Sequence, residues 1–587
     1  MAGTMGSLYI GVSGLNASQN ALNTTAHNLT NVDTKGFVRQ QVLLKDTQYR
    51  YAKTPGVSSN QVGLGVDTNL VRQVRDAFLD KSYRLEVGRQ GFYEAQYMAV
   101  SEIENVFGEL EGVAFQDSIE SLWVSMQELV KEPDSLVQRD TMVQTAVSLI
   151  ERAELIQGQL QEYQKNINTE ILDSVNTING IGNQIKALND KICSIESAGM
   201  EQANDYRDTR NLLLDQLGQL VNITYRENAN GLVTVTVEGV PFVTEADVNT
   251  MGVAELSETN DMLKPVWPFL GQDVLEQTTS YSSNENTDVG YLKGLLVARG
   301  DYEANYTDIP VKPVLEDFAG DESAFDKAMV QYEKDVKAYN NTVNPSCIMT
   351  IQAQFDQLIH GLVTKINDIL SPNKKITIVE NGVEKEISIL DEDTAPIGMG
   401  EGNDKAGTEL FSRKNMKRYE KVEVYLPGSN TPIEVWRYNE EDVNDPYSLY
   451  TLGEIEVNPE VLKNLSIIPL SSKNNTGDYD SSICDQLVDL WNKDFGTLGP
   501  NNLTPNTLKD YYSAMIGELG NRGNTLNAIA TNQEEMATSI DSQRASVTGV
   551  SSDEELSNMI RYQHAYNASA RYINVVSEML EHIINSL

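Results

Sequence analysis

The chain has 587 residues, of which 45 are Lys or Arg and 85 are Asp or Glu, so its formal net charge is −40. A surface this acidic repels nucleic-acid phosphates and anionic lipid headgroups, which argues against nucleic-acid binding and against insertion into a membrane. The length predicts several domains, each large enough to enclose its own core.

The N-terminal segment is uncharged: the first 32 residues contain no Asp, Glu, Lys or Arg, and Asp33 is the first charged residue. Asparagines interrupt the segment too often for a membrane span, and it lacks the basic start and continuous apolar core of a secretory signal peptide. Residues seven apart share one face of an α-helix, which is stable only when another helix covers it. Leucines repeat at this spacing, at Leu8, Leu15, Leu22 and Leu29. We therefore predict an N-terminal helix that packs against a partner helix.

Apolar residues spaced three and four apart predict helices from about residue 70 to 220. A new helix is expected after the break at Pro133. It carries a second heptad ladder, formed by Ile171, Ile178, Ile185 and Ile192. This pattern predicts a rod-like antiparallel helical bundle.

Strand-like alternation follows at residues 231–239 and predicts a small β domain at 223–289. Helical periodicity resumes at 291–299 and again from 324 to 370. A second stretch of strand-like runs, at 373–470, includes a glycine-rich loop at 397–408. From about 505 to 587 the pattern is helical, apart from a kink or loop at Thr548–Ser552.

The C-terminal helix repeats the heptad spacing of the N-terminal one. The repeated residues are Met559, Tyr566, Ile573, Leu580 and Leu587. Matching seams at the two ends predict that the termini come together as an assembly surface. The predicted fold is therefore mainly α, with terminal coiled-coil helices, a long antiparallel helical rod and two small β domains. The boundaries are 1–55 and 545–587 for the terminal domain, 56–222, 290–372 and 474–544 for the rod, and 223–289 and 373–473 for the β domains.

No arrangement of residues typical of catalysis stands out. The three cysteines form no C-x-x-C pair, and the four histidines form no H-E-x-x-H pair. There is no P-loop, no G-x-S-x-G elbow and no EF-hand loop. We expect no enzymatic activity, no metal and no cofactor, and we expect His27 and His564 to be polar partners in helix contacts.

The two ends resemble the terminal motifs shared by bacterial flagellar rod, hook and hook-associated proteins. The resemblance rests on residues 13–22 and 28–37 at one end and on 558–571 at the other. The motif residues are Asn28, Asn31, Thr34, Gly36, Phe37, Arg561, Gln563, Tyr566 and Ala570. Interior segments 204–217, 290–299, 511–520 and 544–555 resemble the hook-associated members at the junction of hook and filament. Departures are Asn211, usually acidic in the family, and His564, usually an amide.

The resemblance implies a structural protein that forms the junction between hook and filament and allows flagellin to assemble. Its terminal helices would form the inner layer of a hollow axial structure, ordering on assembly, and their lack of charge would ease the passage of exported chains. The implied location is the extracellular flagellum, reached without a cleaved signal peptide. The implied partners are copies of itself, hook protein, a second junction protein (hook-associated protein 3), the type III export apparatus and an export chaperone. The chaperone would bind residues 545–587, where Met559, Ile573, Val576 and Leu580 present an apolar face.

Three alternatives differ in what they require of the chain. A flagellar hook or distal rod protein shares both terminal motifs, but segments 204–217 and 544–555 argue against it. A secreted coiled-coil adhesin would carry a secretory signal or an anchor. An enzyme on an axial scaffold would need clustered His, Cys or carboxylates in the second β region, where we find none in catalytic spacing.

Overall fold

The computed structural model describes residues 2–47, 50–52, 60–108, 115–197, 202–257, 260–275, 281–318, 321–380, 382–399, 402, 405–429, 431–471, 481–502 and 504–586. Long helices dominate, and small antiparallel sheets are inserted between them. The prediction of a mainly α fold with β modules is confirmed.

The N-terminal region consists of one helix followed by a β-hairpin arm. The helix is α1 (Ala2–Thr30), and the strands are β1 (Gln40–Asp46), β2 (Arg50–Ala52), β3 (Asn60–Val62) and β4 (Val66–Gln73). Strand β1 pairs antiparallel with β4, and β2 pairs with β3. This arm was not predicted, because β1 and β4 are partly exposed and lack a clean apolar alternation. The predicted boundary between residues 55 and 56 lies outside the described residues.

The rod begins with four helices. They are α2 (Ala77–Phe107), α3 (Phe115–Lys131), α4 (Leu136–Glu196) and α5 (Asn204–Leu220). Asp76 caps α2 by accepting hydrogen bonds from two backbone N–H groups of its first turn. Pro133 lies between α3 and α4, close to where the sequence predicted a new helix. All four isoleucines of the second heptad ladder are fully buried along α4.

Two three-stranded antiparallel sheets form the first β domain. The first contains β5 (Ile223–Glu227), β6 (Val233–Val237) and β7 (Val240–Val243). The second contains β8 (Gly252–Ser257), β9 (Asn260–Trp267) and β10 (Gln272–Asp273). Phe242 lies against α4 at Gly182, where an added methyl group would come within 2.5 Å of the Phe242 ring. The sheets therefore pack directly on the rod.

The periodicity between residues 324 and 370 corresponds to two helices. After α6 (Tyr291–Arg299) come α7 (Glu322–Thr342) and α8 (Cys347–Leu370). Pro345 lies in the gap and has no N–H to continue the helical hydrogen-bond ladder. Ser346 then caps α8 by accepting a hydrogen bond from Met349 N.

The second β domain contains six strands and one short helix. They are β11 (Asn373–Glu380), β12 (Val383–Leu390), β13 (Phe411–Arg413), β14 (Tyr419–Val424), β15 (Ile433–Tyr438), β16 (Ile455–Val457) and α9 (Pro459–Lys463). Four strands form a sheet in the order β11-β12-β15-β14, and β13 pairs with β16. Val379 N donates to Tyr425 O at 2.8 Å, which links the two edges of the sheet. The sheet thus curls toward a closed barrel around Ile378, Ile387, Ile389 and Val424.

The chain returns to the rod and ends in two long helices. The elements are α10 (Ser481–Asp489), β17 (Asp494–Gly496), β18 (Asn506–Thr507), α11 (Leu508–Thr548) and α12 (Ser552–Ser586). Helix α11 packs on α2 and α8, and α12 packs on α1. Four rings from four rod helices meet in the core at centroid separations of 5.0–6.2 Å: Phe107, Phe115, Phe355 and Tyr512. The rod therefore closes around residues from both halves of the chain.

Candidate functional site

The terminal helical pair, α1 with α12, brings the two ends of the chain together as antiparallel helices. A methyl group on Gly11 would lie 2.7 Å from Ile573 Cγ1, and one on Gly14 would lie 2.9 Å from Ser569 Oγ. At the other end of the pair, Asn28 Nδ2 donates to Glu555 Oε2 at 3.1 Å. Residues nearer the C terminus of α1 therefore contact residues nearer the N terminus of α12, as in any antiparallel pair.

Small residues, not leucines, form the most buried face of α1. This face consists of Gly11, Ala17, Ser18, Ala21, Thr25 and Asn28. The predicted seam residues Leu8, Leu15, Leu22 and Leu29 are half-buried. Small side chains allow the two helix backbones to approach closely, as the Gly11 and Gly14 contacts show.

The predicted seam of α12 lies on the side of the helix that meets α1. Val576 is 4% exposed, and Ile573 contacts Gly11. The seam residues Met559, Tyr566, Ile573 and Leu580 are half-buried, and Leu587 lies outside the described residues. The apolar face assigned to a chaperone, at Met559, Ile573, Val576 and Leu580, thus lies on the α1 side of the helix.

Apolar side chains of α12 outside its seam are open to solvent, and we call them the outer stripe. They are 42–56% exposed: Leu556, Ile560, Tyr572, Val575 and Met579. Tyr9 and Val12 of α1 are also exposed, at 57% and 42%. Exposed apolar side chains repeated along one helix make it a candidate interaction surface. The terminal helical pair therefore has an inner seam that the chain covers itself and an outer stripe that it leaves open.

The N-terminal motif builds the turn that ends α1. Asn31 N donates to Asn28 O, Thr34 N to Asn31 O and Phe37 N to Thr34 O, at 3.0–3.2 Å. Gly36 has a φ of +82°, a left-handed conformation that favours glycine. The motif residues Asn28, Asn31, Thr34, Gly36 and Phe37 thus shape one continuous turn into β1.

His27, at the end of α1, has a polar and an aromatic contact. Its Nε2 lies 3.3 Å from Asp205 Oδ1 of α5. The Phe37 ring lies edge-on to the His27 ring at 5.4 Å. These contacts tie the turn to the rod.

A polar clasp of Asn28, Arg39, Gln40 and Glu555 closes the terminal helical pair. Asn28 donates to Gln40 O at 2.9 Å and accepts from Gln40 N at 3.0 Å. Arg39 Nε donates to Glu555 Oε1 at 2.9 Å, and the guanidinium also pairs with the exposed Glu554. Asn28 and Glu555 are only 1% and 2% exposed. The roles of Arg39, Gln40 and Glu555 were not predicted, although Glu555 ends the 544–555 segment.

The backbone of Arg39 extends the clasp to the rod. Arg39 N donates to Thr548 O at 2.8 Å, and Arg39 O accepts from Val74 N at 3.0 Å. Four elements therefore meet at one residue: β1, the segment after β4, the end of α11 and the start of α12. Arg39 therefore links the terminal helical pair to the end of the rod.

Buried ion pairs hold the end of α11 against α2 and α5. Arg544 NH1 donates to Asp215 Oδ2 at 2.7 Å, and Arg84 Nε donates to Asp215 Oδ1 at 2.7 Å. The Arg544 guanidinium also lies 4.1 Å from the centre of the Tyr83 ring. Asn211 offers its backbone and amide oxygens to Arg84 at 3.3 and 3.5 Å. A cavity of about 370 Å³, with a mixed polar and apolar lining, lies beside this network.

Asp208 of α5 joins the rod to the first residues after the turn. Its carboxylate accepts hydrogen bonds from Val38 N at 3.1 Å and from Gln73 Nε2 at 2.6 Å. Burial raises the pKa of Asp208 to about 7, although these donors and Arg75 lower it. The carboxyl is thus partly protonated near neutral pH.

The C-terminal motif residues are spread along α12 and do not converge. Arg561 and Gln563 are exposed, whereas Tyr566 and Ala570 are half-buried. Arg561 donates to the Tyr562 hydroxyl at 3.3 Å, and His564 points to solvent. Among the described residues, no group of three or more His, Cys, Asp or Glu is placed to hold a metal ion. The geometry of this site is that of a helical interface.

Comparison with known families matches both ends and the rod. The model described as Flagellar hook-associated protein FlgK helical domain matches residues 100–373. The models of the flagella basal body rod protein and of the flagellar basal body rod FlgEFG protein C-terminal region match residues 8–37 and 542–587. Flagellar hook-associated protein 1 of Bacillus subtilis is 25% identical over 98% of this chain and 96% of its own length. The chain belongs to the flagellar hook-associated protein family.

Two further proteins are similar to this chain. Flagellar hook-associated protein 1 of Escherichia coli is 23% identical, and the match covers 98% of each chain. The flagellar hook junction protein FlgK from Burkholderia pseudomallei aligns with 80% of this chain and 100% of its own, with 13% identity and a TM-score of 0.45.

Membership of this family makes the chain a structural component of the bacterial flagellum. In the part of the chain that the structure describes, no helix is both long and apolar enough to cross a lipid bilayer. All three cysteines are free, with Cys347 and Cys484 buried and Cys193 half-buried.

Proposed function

We propose that this chain forms the junction between hook and filament in a bacterial flagellum and thereby allows flagellin to assemble. One observation carries the proposal: the two ends fold as a single helical pair whose outer stripe is apolar and uncovered. Relatives named flagellar hook-associated protein 1 match nearly the whole chain, including both ends of this pair. The role is structural, without catalysis, metal or cofactor.

The outer stripe of α12 is the proposed contact with neighbouring copies in an axial assembly. Such copies meet head to tail, so a different surface is used on each side. The half-buried seam residues Leu8, Leu15, Leu22 and Leu29 are proposed to become fully buried in the same contacts. Hook protein would be the neighbour on one side and hook-associated protein 3 the neighbour on the other.

The domains predicted from the sequence are proposed to form the terminal, rod and outer parts of the junction protein. The terminal domain would comprise 1–55 and 545–587, the rod 56–222, 290–372 and 474–544, and the outer β domains 223–289 and 373–473. The uncharged α1 offers no fixed charge that could retain a passing exported chain. Export would proceed through the type III apparatus without a cleaved signal peptide, and a chaperone would cover α12 until assembly.

Complementation of a deletion strain tests the junction role. Deleting the gene in its own bacterium is expected to leave hooks intact and to release unpolymerised flagellin into the medium. The wild-type gene should restore filaments, as seen by electron microscopy. Loss of the hooks themselves would contradict the proposal and favour the alternative role in hook or distal rod.

Substitutions in the outer stripe connect the phenotype to the surface. Ile560 is 56% exposed, so Ile560→Asp is expected to leave the monomer folded and to abolish filament formation. Asn527, exposed on α11 of the rod, supplies the control Asn527→Asp with the same added charge away from this surface. Normal filaments with Ile560→Asp would exclude the stripe as the axial contact.

A further inference from the structure

The two seams of the terminal helical pair do not by themselves select one alignment. On α1, small residues repeat every seven positions: Gly11, Ser18 and Thr25 form one ladder, and Gly14, Ala21 and Asn28 form another. On α12, the apolar seam repeats with the same period. A shift by one heptad therefore places each α12 seam residue against another small residue of α1.

The N-terminal helix is fixed to the rest of the chain, so α12 is the helix that can shift. Ser13 Oγ accepts from Val66 N at 3.3 Å, and Asn20 Nδ2 donates to Thr68 Oγ1 at 3.3 Å. These bonds hold α1 on strand β4. Helix α12 is joined to α11 only through residues 549–551, and unwinding the last turn of α11, residues 545–548, would release chain for a heptad shift while Glu555 stays helical.

We infer that the buried polar clasp acts as a register lock, in which Glu555 selects one alignment of α12 on α1. In the observed alignment, the Glu555 carboxylate receives Arg39 at 2.9 Å and Asn28 at 3.1 Å. A heptad shift would place Glu555 opposite Ala21, which is 1% exposed and offers no hydrogen-bond donor in its side chain. A buried carboxylate that loses its arginine and amide partners is strongly unfavourable, so the shifted alignment is rejected.

Arg39 also connects the register lock to the rod. Because its backbone bonds to Thr548 O and Val74 N, the position of Glu555 is set relative to the rod and not only to α1. The lock therefore fixes both the alignment of the helices and the place where the pair begins. It belongs to the single chain, so its test does not depend on the junction role.

Spin labels on the two helices would measure the alignment. Asn23 and Ser577 are exposed, and cysteines placed there on a Cys193→Ser background can be labelled while Cys347 and Cys484 are buried. One heptad corresponds to about 10 Å along a helix at 1.5 Å per residue. Pulsed electron resonance on the full chain is expected to give one distance for the parent protein and a second population displaced by about 10 Å for Glu555→Leu.

The neighbouring residue supplies the matched control. Glu554→Leu makes the same substitution one position earlier, at an exposed side chain, and is expected to keep the single parent distance. The double variant Arg39→Met/Glu555→Leu, which also removes the guanidinium, is expected to show the displaced population. A single unshifted distance in both Glu555 variants would overturn the inference. So would loss of any defined distance in both, because the clasp would then hold the helix without choosing its alignment.

Discussion

Gly11 of α1 lies directly against Ile573 of α12: a methyl group added to the glycine would be 2.7 Å from Ile573 Cγ1. Real methyl carbons do not approach another carbon so closely, so the helix spacing at this point depends on the missing side chain. The absence of a side chain at Gly11 therefore lets Ile573 pack against the backbone of α1.

Gly11→Val is expected to separate the terminal helical pair without unfolding the rod. The added side chain overlaps Ile573, and overpacking of this kind costs about 1–3 kcal/mol. Hydrogen exchange followed by mass spectrometry should show faster exchange in α1 and α12 and unchanged exchange in α4.

Gly6 supplies the control for Gly11. Nothing lies within 4 Å of a methyl group built on Gly6, so Gly6→Val makes the same substitution in the same helix without a clash. Equal exchange in the two variants would show that the Gly11 contact does not control the pair.

Buried carboxyl groups are expected to make the protein more stable at pH 5 than at pH 8. Burial raises the pKa of Glu409 to about 7, against the lowering effect of the Tyr450 hydroxyl and two arginines, and raises that of Asp356 to about 6. Burial likewise raises the pKa of Asp208 to about 7. Between about pH 4 and 7 the folded state holds protons that the unfolded state has lost, so the free energy of unfolding falls as pH rises.

Glu409→Gln isolates this effect at one site. Glutamine keeps an acceptor for the Tyr450 hydroxyl, which donates to Glu409 at 2.8 Å, but carries no charge. The variant is expected to be about 2 kcal/mol more stable than the parent at pH 8 and nearly unchanged at pH 5, by chemical denaturation. The exposed Glu423→Gln should alter neither value, and a gain independent of pH would contradict the assignment.

A charge on the uncharged face of α1 is expected to slow filament growth if this face lines the proposed channel. Asn23 is exposed, so Asn23→Lys should leave the fold intact while placing a fixed charge in every subunit. Filament length after mechanical shearing gives the growth rate, and Asn23→Ser is the neutral control. Equal rates for the two variants would argue against charge neutrality as the reason for the composition of α1.

Two methionines distinguish the faces of α12 that a chaperone could use. Met559 is half-buried and belongs to the seam, whereas Met579 is 56% exposed on the outer stripe. If the chaperone binds the seam, as the resemblance implies, Met559→Ser should weaken binding about tenfold and Met579→Ser should have little effect, by calorimetry. The reverse order would place the chaperone on the outer stripe, with α1 still in position.

Periodicity accounts for the parts of the structure that the sequence predicted well. The isoleucine ladder of α4 and the break between α11 and α12 both follow from local spacing, which a helix expresses without help from distant residues. The arm formed by strands β1 to β4 was not predicted because these strands are held by one another and by α1. Such contacts leave little trace in local apolar spacing.

The amino-acid sequence by itself determined that both ends form helices, that the first helix is uncharged and that each helix carries a heptad seam. Heptad spacing and charge are local properties of the chain. Only the tertiary structure decided which residues those seams bring into contact. It placed small residues at the centre of the α1 face and joined Asn28 to Glu555 across nearly the whole chain. A repeat that looks the same after every seven residues cannot specify its own alignment, so that choice depends on buried polar contacts between distant segments.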